Sequence, residues 1–139
     1  MTDPSLDAVP VAEWPLHLRE MLGEAFSIVL AADTGPGTDA AGVEVGVVAT
    51  EDGVFVRASN GPTSHWFRAT RVLGRGTITV AGRTLPVRFT HPGPVDHPAV
   101  HDAVDAAFAT KYRGLTAGID SARARAATVR ISPPPPSYL

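Results

Sequence analysis

The sequence predicts a mostly β, antiparallel domain, a small β-barrel carrying peripheral α-helices, with an α+β sheet as the near alternative. Three observations point there: short β-branched runs separated by tight turn signals, helical periodicity confined to a few short segments, and no strand–helix–strand rhythm of the doubly wound kind. A length of 139 residues suits one domain, spanning 1–139, that buries a core without metal or disulfide staples. The chain has no cysteine, which excludes disulfide frameworks, thiolate metal sites and a cysteine nucleophile.

Taken in order, residues 1–12 read as a flexible tail. Their acidic, proline-broken start lacks the basic flank and apolar centre of an export signal, so a cytoplasmic protein is expected. Glu13 to Glu24 sets Trp14, Leu18, Met21 and Leu22 at helical intervals, with Pro15 tolerated in the first turn. Phe26 to Ala32 is a buried strand ended by the breaker-rich, mobile loop "DTGPGTDAAG". Val43 to Thr50 and Val54 to Ala58 flank "EDG" and are expected to pair as an antiparallel hairpin. Thr77 to Val80 and Thr84 to Phe89 form a second hairpin, in which Ile78, Val80, Leu85, Val87 and Phe89 face inward and Pro86 takes an edge or outward position. Val100, Val104, Ala107 and Phe108 mark one face of a helix closing at Gly114. "ARAATVRI" reads as a last strand, and residues 133–139 as a polyproline II tail.

Between the two hairpins lies "RASNGPTSHWFRATR", where a strand gives way to a small polar loop and then to a helix. Gly61 precedes a proline and is pushed away from helical angles, so the helix begins at about Thr63 or Ser64. Its free amides, the positive end of the helix dipole and the hydroxyls of Ser59, Thr63 and Ser64 form a candidate anion site suited to phosphate. Ser64, Arg68, Arg71 and Arg75 fall on one helical face, and Trp66, Ala69, Thr70 and Leu73 on the adjoining apolar one. The plainer reading is an ordinary strand-to-helix connection with a solvated arginine face, because neither nucleotide-binding glycine motif is present.

Other groupings are weaker. His97 and His101 stand four apart, but Pro98 keeps His97 out of the helix, and capping or surface histidines explain the pair better than a metal site; none is assigned. Asp102 and Asp105 suit a solvated early helix, and Lys111 and Arg113 a helix end. On a continuous strand, Arg123 and Arg125 would share parity with Val129 and Ile131 and face inward, where they need an anionic partner; a bulge or an early strand end would turn both to solvent. A formal net charge of -2 gives no global attraction for nucleic acid, and "FSIVLAA" is too short to span a membrane.

"GVFVRASNGPTSHWFRAT", "KYRG" and "SARARAATVRISP" together resemble an uncharacterised bacterial family, domain of unknown function 2255, similar to the split-barrel proteins that bind FMN or the deazaflavin F420. The resemblance runs from about Phe26 to Pro133. Val54 to Val80 also looks like the strand, loop and aromatic helix that face the cofactor phosphate in deazaflavin-dependent reductases. It implies cofactor-binding roles for Arg57, Ser59, Asn60, Gly61 and Ser64, with Trp66 supporting the loop; Thr63 and Arg125 join them on the residue-level arguments above. One departure is plain: relatives carry a basic residue in the turn before the second strand, and this chain has Asp39 and Glu44 there.

The resemblance therefore implies a split-barrel homodimer acting as a flavin or deazaflavin oxidoreductase, passing hydride to a small quinone, nitro or enone acceptor. Two alternatives stay open: a non-catalytic module for a small anion or other small molecule, and a purely structural dimerisation domain.

Overall fold

The computed structural model describes residues 12–37, 42–113 and 118–135. Most of both expected tails, the middle of the loop after Ala32, and Gly114 lie outside the described residues. Among those described, seven strands form one sheet: β1 (Ile28–Ala32), β2 (Val43–Val45), β3 (Val48–Thr50), β4 (Gly53–Arg57), β5 (Arg75–Val80), β6 (Arg83–Thr90) and β7 (Thr128–Ser132). Their order is β2-β1-β5-β6-β7-β4-β3, and every adjacent pair is antiparallel. Four helices flank it: α1 (Leu16–Glu24), α2 (His65–Leu73), α3 (Pro98–Lys111) and α4 (Ala122–Ala126).

The expected second hairpin is present, with Ile78 opposite Leu85 and Thr79 opposite Thr84. Ala81 and Gly82 both take positive φ in its turn, the backbone a two-residue hairpin needs. Pro86 falls where β6 pairs only with β5, because β7 reaches only Arg88 to Thr90, so its missing N–H breaks no ladder.

The first hairpin is half of what the sequence predicts. Val48 to Thr50 pairs with β4, but Val43 to Val45 leaves for the opposite edge and pairs with β1. Gly46 and Val47 form the break. Laid flat, seven strands would put the outer two about 29 Å apart, whereas the step from Val45 to Val48 reaches at most about 11 Å. The sheet must therefore curl until its edges meet, leaving a split where β2 and β3 adjoin without pairing.

Inside the curl lies the main core, with Ile28, Leu30, Val54, Val56, Val129 and Ile131 among its members. A smaller core lies outside, where Phe55 and Val48 pack against Val104, Phe108 and Tyr112 of α3 and its end. Strand β4 is thus covered on both faces, so its residues from Val54 onward are all buried rather than alternating.

Candidate functional site

A cavity of about 430 Å³ opens at the split. Gly46 and Glu44 of the β2 end form one side, with Phe26 and Ser27 just before β1. Arg57, Ser59 and Asn60 form the other side, with Ser64 and Trp66 at the start of α2. Phe108 and Tyr112 make the floor. Volume and lining suit a drug-sized or cofactor-sized molecule.

Tyr112 holds the split together. Its hydroxyl accepts from the Val47 N–H at 2.9 Å and lies 2.6 Å from the Phe26 carbonyl and 3.1 Å from that of Val47. The Lys111 ammonium also donates to the Val47 carbonyl. Gly46 leaves room for it: a Cβ there would stand 3.2 Å from the tyrosine ring, a tight approach that the ring would have to yield to. Phe26 meets the same ring edge-on at 5.3 Å, and Phe108 stacks on it at 5.7 Å.

Arg57 is 4% exposed and sits under α3, bonded to its His101 and Asp105. Its five N–H groups are all committed: Nε to Thr128 Oγ1, Nη1 to Asp105 and the Ile119 carbonyl, Nη2 to His101 Nδ1 and the His101 carbonyl. Burial lowers its pKa, and the Asp105 hydrogen bond pulls the other way. Burial alone would raise the Asp105 pKa, but hydrogen bonds from Arg125 and Arg57 outweigh it and hold the carboxyl below its usual range.

The sequence-predicted residues divide. Arg57, Ser59, Asn60, Ser64 and Trp66 come together at the cavity. Gly61, at φ 86°, makes the turn beside them, and the Arg123 side chain lies 3.2 Å from where its Cβ would be. Thr63 faces a different hollow, with Phe67, Arg68 and Arg71. Arg125 is not on a strand: residues 122–126 form α4, so the parity argument for it and Arg123 fails. Arg125 pairs with Asp102 and Asp105, and Arg123 donates to the Asn60 carbonyl at 2.9 Å. Arg75 likewise belongs to β5 rather than α2, and is paired with Asp33. On α2 the predicted Trp66 and Ala69 pack against the main core beside the buried Phe67 and Thr70, while Leu73 is exposed. No group of three or more metal-ligating side chains gathers among the described residues.

Sequence reasoning missed His101, read as a cap or surface residue but fully buried. The signal was there: His101, Val104 and Phe108 share one helical stripe. Arginine can only donate, so His101 Nδ1 is an acceptor and Nε2 carries the proton toward the Pro92 carbonyl at 2.9 Å. His91 is similar. Thr70 Oγ1 donates to the Phe67 carbonyl, so it accepts from His91 Nε2. Burial, then the Arg71 charge, lowers the His91 pKa to about 4; burial also lowers that of His101.

A pH dependence follows. Both folded-state pKa values lie below the unfolded histidine value of about 6.5, so below that pH the unfolded chain binds more protons. The stability these histidines contribute is complete above about pH 6.5 and is lost as pH falls toward about 4. Urea midpoints should therefore drop from pH 7 to pH 5, less steeply in His91→Phe. A flat wild-type profile over that interval would refute neutral burial.

A family model described as "Uncharacterized protein conserved in bacteria (DUF2255)" matches residues 20–131. No curated protein matches the sequence. Among solved structures, the heme storage protein HutZ from Vibrio cholerae is similar at TM-score 0.63 and 14% identity, over 89% of this chain and 92% of that one. Campylobacter jejuni ChuZ is similar at TM-score 0.50 and 10% identity, over 95% of this chain but only 54% of its own length. At such identities the likeness speaks to fold, and the fold is the split barrel.

Proposed function

Because the chain belongs to this uncharacterised bacterial family, DUF2255, and folds as a split barrel, we propose that it is a binding module for a planar small molecule seated at the split. The observation that carries this reading is the cavity itself, aromatic on floor and mouth and rimmed by hydroxyl and amide groups. Phe26, 67% exposed at its edge, is a large apolar side chain left to water unless something covers it. In this reading Trp66 and Phe26 flank the ring, Ser59, Asn60 and Ser64 supply polar contacts, Gly61 shapes the loop, and Arg57 positions the floor without touching the ligand. Thr63 and Arg125 take no direct part.

Heme does not fit this cavity. An axial ligand would have to be a histidine, cysteine, methionine or tyrosine; no histidine lines it, and the Tyr112 hydroxyl is committed to Val47 and Phe26. A flavin-type cofactor, FMN or the deazaflavin F420, is the second reading, favoured by the uncapped start of α2. The Ser64 side chain makes no capping bond, leaving its hydroxyl and the first-turn amides for a phosphate. Such a cofactor would supply hydride transfer to a quinone, nitro or enone acceptor. Among the described residues lining the site no cation is free for that phosphate, since Arg57 is spoken for, and the redox reading therefore comes second.

A homodimer completes the proposal, supported by the exposed Val29, Val72 and Leu73. One experiment reads both claims: a native mass spectrum of the purified protein, followed by its absorbance spectrum. The expected result is a dimer mass carrying a small-molecule increment that denaturation releases and that Ser59→Tyr, placing a ring on the exposed rim, removes. A native spectrum without any small-molecule increment would overturn the binding reading, failure of both FMN and F420 to bind would overturn only the redox reading, and a monomer would overturn only the dimer.

A further inference from the structure

The charges around the cavity say more about what it holds. Among the described residues lining it, only Arg57 and Glu44 are charged. Arg57 is neutralised within its own cluster: Arg57 and Arg125 face Asp102 and Asp105, two charges of each sign. All five of its N–H groups are also spent. Glu44 is different. Its one hydrogen bond to a side chain comes from the Ser27 hydroxyl at 2.9 Å, and no arginine, lysine or histidine of the described residues pairs with it.

On the cavity lining itself the uncompensated charge is therefore negative, and it shares that lining with the Phe26 and Trp66 rings. Phe26 and Trp66 are not fully buried. A carboxylate among aromatic faces attracts cations, by direct charge and by the ring quadrupoles. An anion would be repelled by Glu44, and what would favour it lies off the lining, in Lys111 at the Val47 carbonyl and Arg123 at the Asn60 carbonyl, or at the start of α2.

We infer that Glu44 makes this cavity selective for an aromatic cation, a ring bearing a protonated amine or amidine, with the charged group at Glu44 and the ring between Phe26 and Trp66. This rests on the cavity being the ligand site proposed above. Glu44 acts as a specificity residue: it decides which ring enters, while the aromatic floor binds rings in general.

Three probes of nearly equal shape separate the two claims: naphthylmethylammonium, naphthalenemethanol and naphthoate, each titrated by calorimetry. Wild type is expected to favour the ammonium over the alcohol by roughly tenfold, the combined effect of one exposed ion pair and a cation–ring contact, and naphthoate should bind weakest. Glu44→Gln, at an exposed position, should bind the alcohol as wild type does and lose most of the preference. Raising the salt should shrink the wild-type preference. Equal binding of all three probes, unchanged in Glu44→Gln, would overturn the charge inference and leave the binding module standing, as would a preference for naphthoate. Binding of none by folded protein, or binding that Ser59→Tyr does not reduce, would remove the cavity as the site and the inference with it.

Discussion

Replacing Asp105 with alanine is expected to destabilise the fold by about 3–5 kcal/mol, the range found when one partner of a buried ion pair is removed. The carboxylate receives hydrogen bonds from Arg57 and Arg125. Without it, the Arg57 guanidinium, whose side chain is completely buried, keeps its charge and loses the carboxylate hydrogen-bonded to it. Its remaining acceptors are two carbonyls, a hydroxyl and a histidine nitrogen, none of them charged. For a chain of 139 residues the loss corresponds to a fall in Tm of roughly 10–15 °C. Asp102→Ala is the control: its carboxylate touches only Arg125, and its side chain is 71% exposed, so little should change. Urea denaturation of both variants measures the difference. A loss below about 1 kcal/mol in Asp105→Ala would mean that water reaches Arg57 and that the buried cluster is not a structural unit.

Tyr112→Ala should be about as damaging, about 3–5 kcal/mol, because a buried aromatic is removed from the core between α3 and the sheet. The more informative variant is Tyr112→Phe. It keeps the stacking on Phe108 and the edge contact with Phe26, and deletes the one atom that satisfies the Val47 amide. A buried N–H left without an acceptor costs about 1–3 kcal/mol. The loss should be local as well: hydrogen exchange at the Val47 amide should accelerate well beyond that of Val129, which is held in the β4–β7 ladder. Unchanged exchange at Val47 would show that the split is closed by packing alone.

How much of this was legible in the sequence depended on how local the cause was. The β5–β6 hairpin could be read because alternation and a short turn between two strand-like runs are both short-range properties. The start of α2 was legible for the same reason: Gly61 and Pro62 fix it from within. Val43 to Thr50 was misread because its composition is uniformly strand-like; what divides it is the need for one half to reach each edge of a curled sheet, a property of the whole fold. Arg125 was misplaced because alternating alanine and arginine fits a strand as well as a short helix. Ser121 decides between them by capping the Ala124 amide. The role of Arg57 was out of reach, since its partners lie 44 to 71 residues further along the chain.

The position of β7 has a consequence for how the chain comes to be folded. It is the last of the described strands in sequence, yet it sits between β6 and β4, pairing Arg88 with Ser132 on one side and Val54 with Ile131 on the other. During synthesis, everything before Thr128 emerges first, and β4 and β6 must wait with unpaired edges in water. Those edges include Phe55, Val56 and Phe89, apolar residues on strands that each still lack one of their two ladder partners. Such exposed edges invite pairing with other chains. The seventh strand is the keystone of the sheet: its arrival joins the two halves, and it is the step at which the nascent chain passes from aggregation-prone to closed.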